Sequence, residues 1–135
     1  MKKKLNSILL VDDDPDDNYY HQIIINKMNM VNQIDIAVNG IEAIAYLKNE
    51  NHIPPDILFL DLNMPKMNGW EFLEQYKSFS AEKKAKVLIV ILTTSANPDD
   101  IKRAKEIEDV TGFETKPLTQ ELLTEILEQH FPAHL

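Results

Sequence analysis

The chain has 135 residues, 44 % apolar and 27 % charged, which suits one globular domain with one core. Lys and Arg total 14 against 22 Asp and Glu, a net charge of −8, which argues against nucleic-acid binding, because that affinity comes from cationic side chains releasing counterions. Cysteine is absent, which excludes disulfides, thiolate nucleophiles and Cys-based zinc sites together.

The first residues, MKKKLNSILLVDDD, set three lysines before an apolar run as a signal peptide does, but aspartates end the run too early. No segment approaches the roughly 20 apolar residues of a membrane span, so a cytoplasmic protein is expected, with no membrane partner. His21, His52, His130 and His134 are scattered without ligand spacing and are assigned to surface or packing roles.

Residues 8–11 form a continuous apolar run, the sign of a strand buried on both faces. A helix follows over 15–28, with Asp14 as N-cap, Pro15 at its first position, and Asp16 and Asp17 favoured by the helix dipole. Tyr20, Ile24 and Met28, four apart, mark its apolar stripe. Residues 33–38 alternate, with Ile34, Ile36 and Val38 on one side, as in a strand covered on one face. A helix over 41–48 carries Ile41, Ile44 and Leu47; a second apolar run spans 57–60. The next helix, 68–79, carries Phe72, Leu73, Tyr76 and Phe79. A third apolar run, 87–92, precedes a weakly anchored helix over 98–108, whose stripe is only Ile101, Ala104 and Ile107. A short mixed strand at 112–115 and a helix over 118–131 complete the chain. The pattern predicts a strand–helix unit repeated five times: three central strands, two edge strands and helices on both faces. The expected organisation is a single domain over 1–135, with its core at about 5–131 and no output domain.

In an open parallel sheet, ligands bind beyond the carboxyl ends of the strands. The residues just after the apolar runs are Asp12, Asp13 and Asp14; Asp61; Thr93, Thr94 and Ser95; and, after the last strand, Lys116 and Pro117. Acids, a hydroxyl and an ammonium thus converge on one rim. Clustered carboxylates repel, and a hard divalent cation relieves the repulsion; Mg²⁺, with Mn²⁺ as the alternative ion, takes carboxylate oxygens and accompanies phosphate. A carboxylate can also attack phosphorus, with the metal and the ammonium stabilising the transferring group. Each feature alone has a plainer role: a strand-end Asp caps a helix, Lys116-Pro117 marks a loop boundary, and Thr93–Ser95 is a capping cluster. Their shared placement favours chemistry.

The blocks ILLVDDDP, LFLDLNMPKMNG, VILTTS and ETKP, in this order, resemble the signature blocks of response-regulator receiver domains across nearly the whole chain. The resemblance implies an α/β, flavodoxin-like, doubly wound five-stranded parallel sheet of order 2-1-3-4-5 with five flanking helices. It implies that Asp61 is the phosphoacceptor. Asp12, Asp13, Asp61 and the Asn63 backbone carbonyl would hold the metal, Asp12 through water. Lys116 would pair with Asp61 and then with the phosphoryl oxygens. Thr93, favoured over Thr94, would be the switch hydroxyl, and Phe113 the switch aromatic, with core packing as its plainer role. Asn63, Thr94 and Ser95 would tune the phosphoryl lifetime, and Pro65, Gly69 and Pro117 would shape loops. The stretch 101–116 is one residue longer than usual, which implies an altered loop before the fifth strand.

The function implied is a stand-alone receiver that takes a phosphoryl group from a histidine kinase or histidine phosphotransfer protein. It would signal through a changed face at 98–108, 112–115 and 118–131 to another protein. It would not be an enzyme beyond its own phosphorylation and dephosphorylation. The alternative is a small aspartyl-phosphate phosphatase of the haloacid dehalogenase type, with Asp12 as nucleophile and Asp14 as acid; Pro15 stands where that family usually has Thr or Val.

Overall fold

The structure, a computed structural model, describes residues 4–94 and 97–134. The three apolar runs become adjacent strands: β1 (Leu5–Val11), β3 (Ile57–Leu60) and β4 (Leu88–Thr93). They pair in parallel in the middle of a five-stranded sheet of order β2-β1-β3-β4-β5, with β2 (Val31–Ala37) and β5 (Val110–Thr115) at the edges. Both faces of the central strands are covered, which is why their sequences do not alternate. The expected five-stranded doubly wound sheet is thus present in the expected order.

Two apolar layers sandwich the sheet. On one face Leu9, Val11, Leu58, Leu60, Ile89 and Ile91 pack with α2 (Gly40–Lys48), α3 (Gly69–Tyr76) and α5 (Pro98–Lys105). On the other face Leu10, Phe59 and Leu92 pack with α1 (Pro15–Met28) and α6 (Gln120–His130). Each fully buried Leu or Ile contributes about 1.5–3 kcal/mol of transfer free energy, so these layers dominate stability.

The helix count differs from expectation. The helix expected over 68–79 stops at Tyr76, and Ser80 starts a separate one-turn helix, α4 (Ala81–Lys84), by accepting the Lys83 N–H at its side-chain oxygen. Six α-helices therefore flank the sheet among the described residues, with a short 3₁₀ turn at Pro132–His134. Phe79 still packs on the α3 layer from outside any helix.

The buried stripe of α1 also differs. Tyr20 is 44 % exposed, whereas Ile24 is buried and Met28 packs on the α1–α6 layer as expected; the helix also buries Asn18, His21 and Ile25. The polar pair is tolerated because each finds a partner. Asn18 Nδ2 donates to the Asp12 carbonyl at 2.9 Å, and His21 Nε2 accepts the Leu118 N–H at 3.3 Å. In β2 Val31 and Ile34 pack on the α1–α6 layer; Ile36 and the following Val38 are both 40 % exposed, while Ala37 is buried on the opposite face. At the start of β5, Ile89 pairs with Val110 and Val90 with Gly112, so the ladder skips Thr111 as a bulge.

Candidate functional site

Asp12 follows β1, Asp61 follows β3, and both side chains turn toward the α1–α6 face, where they share a small cleft with Asn18, His21 and Phe59. Asp12 and Asp61 are buried, and Asp13 is exposed. One carboxylate oxygen from each of the three lies within 4.8 Å of the others. The donor set is all hard oxygen, which fits a divalent cation such as Mg²⁺ and not a soft metal. The acidic pocket thus has the donors for a divalent metal.

Backbone amides fix the carboxylates. Asp12 Oδ1 accepts the Asp14 N–H at 3.0 Å, and Asp61 Oδ1 accepts the Leu62 N–H at 2.9 Å. Burial still pushes the Asp61 carboxyl up to about 6; Lys116 and the Leu62 and Asn63 amides oppose the rise, while Asp12 adds to it. Asp14 Oδ1 accepts the Asp16 and Asp17 N–H groups as N-cap of α1, so the acid of the phosphatase alternative is engaged in holding a helix.

Lys116 enters from the end of β5. Its Nζ lies 2.6 Å from Asp12 Oδ2, 2.8 Å from Asp17 Oδ2 and 3.7 Å from Asp61 Oδ2. The contact to Asp61 is therefore the longest of the three. Burial acts to lower this ammonium, but the hydrogen bonds to Asp12 and Asp17 outweigh it and hold Lys116 firmly protonated. His21 is lowered instead, by burial and by the nearby Lys116 charge.

Asp17 is the site residue that sequence reasoning missed, since a first-turn acid reads as a dipole partner. The signal was its register: Asp17 precedes the buried His21 by four residues, one helical turn, and so shares the face turned to the site.

The loop after Asp61 is tightly determined. A Cβ on Gly69 would stand 2.5 Å from the Asp61 carbonyl oxygen and 2.9 Å from Leu62 Cα. Asn68 and Glu71 form a reciprocal capping box that starts α3 there. Lys66 takes a left-handed φ of 65°, and the Gly40 N–H donates to the Met67 carbonyl at 2.9 Å, tying the loop to α2. Asn63 and Pro65 are exposed in this loop.

Thr93, the last residue of β4, is fully buried, whereas Thr94 is exposed. Phe113 is partly buried, opposite Ile91 in the ladder and packed on the α3–α5 layer. Pro117 is exposed and follows a cis peptide bond with Lys116. Ser95 lies outside the described residues.

The chain belongs to the family of the response regulator receiver domain, whose family model matches residues 8–128. It resembles response regulator Rcp1 of Synechocystis sp. (strain ATCC 27184 / PCC 6803 / Kazusa), with 34 % identity over 104 residues, 74 % of this chain and 69 % of that one. The Mn(2+)-bound form of Rcp1 superposes with a TM-score of 0.74 at 30 % identity, covering 93 % of this chain and 94 % of that one. A two-component response regulator from Cytophaga hutchinsonii superposes with a TM-score of 0.86 at 31 % identity, covering 94 % and 97 %. The chain spans only 11 % of the sensor histidine kinase CheAY of Helicobacter pylori (strain ATCC 700392 / 26695), matching it at 32 % identity over 93 residues. The protein is thus a receiver domain of two-component signalling, homologous to response regulators and built to be phosphorylated on an aspartate by a histidine kinase or phosphotransfer protein.

Proposed function

We propose that Asp61 is the phosphoacceptor and that Asp12, Asp13, Asp61 and the Asn63 carbonyl hold Mg²⁺ during transfer. The observation that carries this reading is the convergence of Asp12, Asp13 and Asp61 within 4.8 Å, with Lys116 Nζ 3.7 Å from Asp61. When bound, the cation supplies charge neutralisation for the transferring group. An Asp61 oxygen attacks phosphorus, a new O–P bond forms, and the donor's P–N bond to imidazole breaks. The imidazole leaves with the electron pair and takes up a proton. Lys116 faces the added oxygens, and the pocket changes from a carboxylate of charge −1 to a phosphoryl group of roughly −2.

Thr93 is the switch hydroxyl in this reading, and Phe113 repacks beside it. Asn63, Thr94 and Ser95 set the lifetime of the phosphoryl group. The domain catalyses only its own phosphorylation and dephosphorylation and works in the cytoplasm. Its output is a protein that binds α5, β5 and α6. Near-complete switching from a rare active state needs about 5 kcal/mol of differential interaction. Incubation with acetyl phosphate and Mg²⁺, followed by intact mass measurement, tests the first step. Wild type gains one phosphoryl group and Asp61→Asn gains none; equal gain in both removes Asp61 from the role.

A further inference from the structure

We propose that Asp17 is a positioning residue for the Lys116 ammonium, an inference that rests on the reading of Asp61 as phosphoacceptor. An ammonium has three N–H donors. Asp12 Oδ2 at 2.6 Å and Asp17 Oδ2 at 2.8 Å take two of them. At 3.7 Å, Asp61 Oδ2 is beyond hydrogen-bond range, so one donor remains for the phosphoryl oxygens arriving on that residue.

Lysine is flexible, and without an anchor its head is free to pivot. Two anchors from two different elements fix it. The Lys116 side chain is only 8 % exposed, so partners are obligatory as well. The anchor on α1 is itself rigid. Asn18, next along the helix, holds the Asp12 carbonyl, and His21, one turn further, holds the Leu118 amide two residues past Lys116. One helix face therefore grips Asp12, Lys116 and Leu118 together.

Asp17 differs from Asp12 in one respect. Asp12 belongs to the carboxylate cluster with Asp13 and Asp61, and Asp17 does not. A divalent cation drawing on the Asp12 oxygens competes with Lys116 for them. Asp17 is the anchor that the cation does not contest, so it keeps the ammonium in place in the loaded site.

The test uses the full chain with saturating Mg²⁺ and acetyl phosphate. Asp17→Asn lowers the maximal phosphorylation rate about tenfold and leaves the half-saturating donor concentration unchanged, because positioning and not donor binding is lost. Asp17→Glu restores part of the rate. In a Lys116→Met background, Asp17→Asn has no further effect. Asp16→Asn removes the same charge one residue away and leaves the rate unchanged. A wild-type rate in Asp17→Asn overturns the proposal, as does an equal loss in the Lys116→Met background or in Asp16→Asn. A second readout needs no phosphoryl group. In ¹⁵N-lysine-labelled protein with Mg²⁺, wild type and Asp16→Asn show a protected Lys116 ammonium signal, and Asp17→Asn loses it; retention of the signal overturns the hold. If wild type takes up no phosphoryl group, the role of Asp61 fails, and the ammonium signal still decides whether Asp17 fixes Lys116.

Discussion

The backbone N–H of Lys116 donates to the carbonyl of Thr93 at 2.8 Å, joining the ends of β5 and β4. The lysine of the acidic pocket and the buried Thr93 thus share one ladder rung. Thr93 is fully buried and Thr94 is exposed, so the two hydroxyls differ in what a small movement does to them.

The first prediction follows from that difference. Thr93→Ala still takes a phosphoryl group on Asp61, but the response of α5 and β5 is lost. Amide chemical shifts over 98–105 and 110–115, compared before and after beryllofluoride with Mg²⁺, read this response. Thr94→Ala keeps it. The reverse result assigns the switch to Thr94.

Crowding at the loop after Asp61 gives the second. A Cβ at Gly69 meets backbone atoms at 2.5 and 2.9 Å, which cannot yield as a side chain can. Gly69→Ala therefore destabilises the fold by about 1–3 kcal/mol, the usual range for overpacking, and shifts the Asp61 backbone. Gly112→Ala is the contrast: its Cβ meets only the Val90 methyls, at 3.5 and 3.7 Å, and is tolerated. Urea denaturation of both variants checks the pair; equal losses would show that clearance at Gly69 is not what matters.

Asp61 also makes stability depend on pH. Its folded carboxyl sits at about 6 against an ordinary 3.8, so the native state holds a proton more tightly than the unfolded chain. The contribution favours folding fully below 3.8 and is lost as pH rises through 6. At about 1.4 kcal/mol per pH unit, the ionised group costs about 3 kcal/mol at pH 7.5 without metal. Asp61→Asn removes this cost, so it is more stable than wild type at pH 7.5 in EDTA and nearly equal at pH 4. Urea midpoints at the two pH values decide; an unchanged difference would contradict the role of burial.

Metal binding carries the opposite sign. Protons compete with the cation for Asp61, so affinity for Mg²⁺ falls as pH drops below 6. At a hundredfold excess over Kd, the cation stabilises the fold by about 2.7 kcal/mol. Thermal melts with and without Mg²⁺ should show this gain at pH 7.5 and little of it at pH 5. Asp13→Asn should reduce it at pH 7.5. A gain independent of both pH and Asp13 places the cation elsewhere.

Sequence patterning carried the central sheet well, because β1, β3 and β4 are buried on both faces and leave unbroken apolar runs. On α1 it placed Ile24 and Met28 but not the rest of the face, since Asn18 and His21 are buried while Tyr20 points outward. Periodicity of hydrophobicity cannot register a polar residue that is buried because it is bonded. The helix break before Ser80 was hidden for a related reason: Phe79 keeps packing on the core after the helix has ended. Asp12, Asp13, Asp61 and Lys116 were legible from strand ends alone. The hold of Asp17 on Lys116 joins residues 99 apart in sequence, and local capping chemistry explained Asp17 well enough to conceal it.

The two apolar layers have a further consequence. Asp12, Asp61 and the Lys116 head lie with α1 on one side of the sheet, whereas Ile91, Phe113 and α5 pack on the other. The sheet is a septum, and the pocket reaches α5 around its rim, through the ends of β4 and β5. The acidic cluster and the α5 layer therefore occupy opposite faces of one wall, and a substitution on the exposed side of α1 leaves the packing of α5 untouched. The strand ends, where Thr93 pairs with Thr115, are the edge the two faces share.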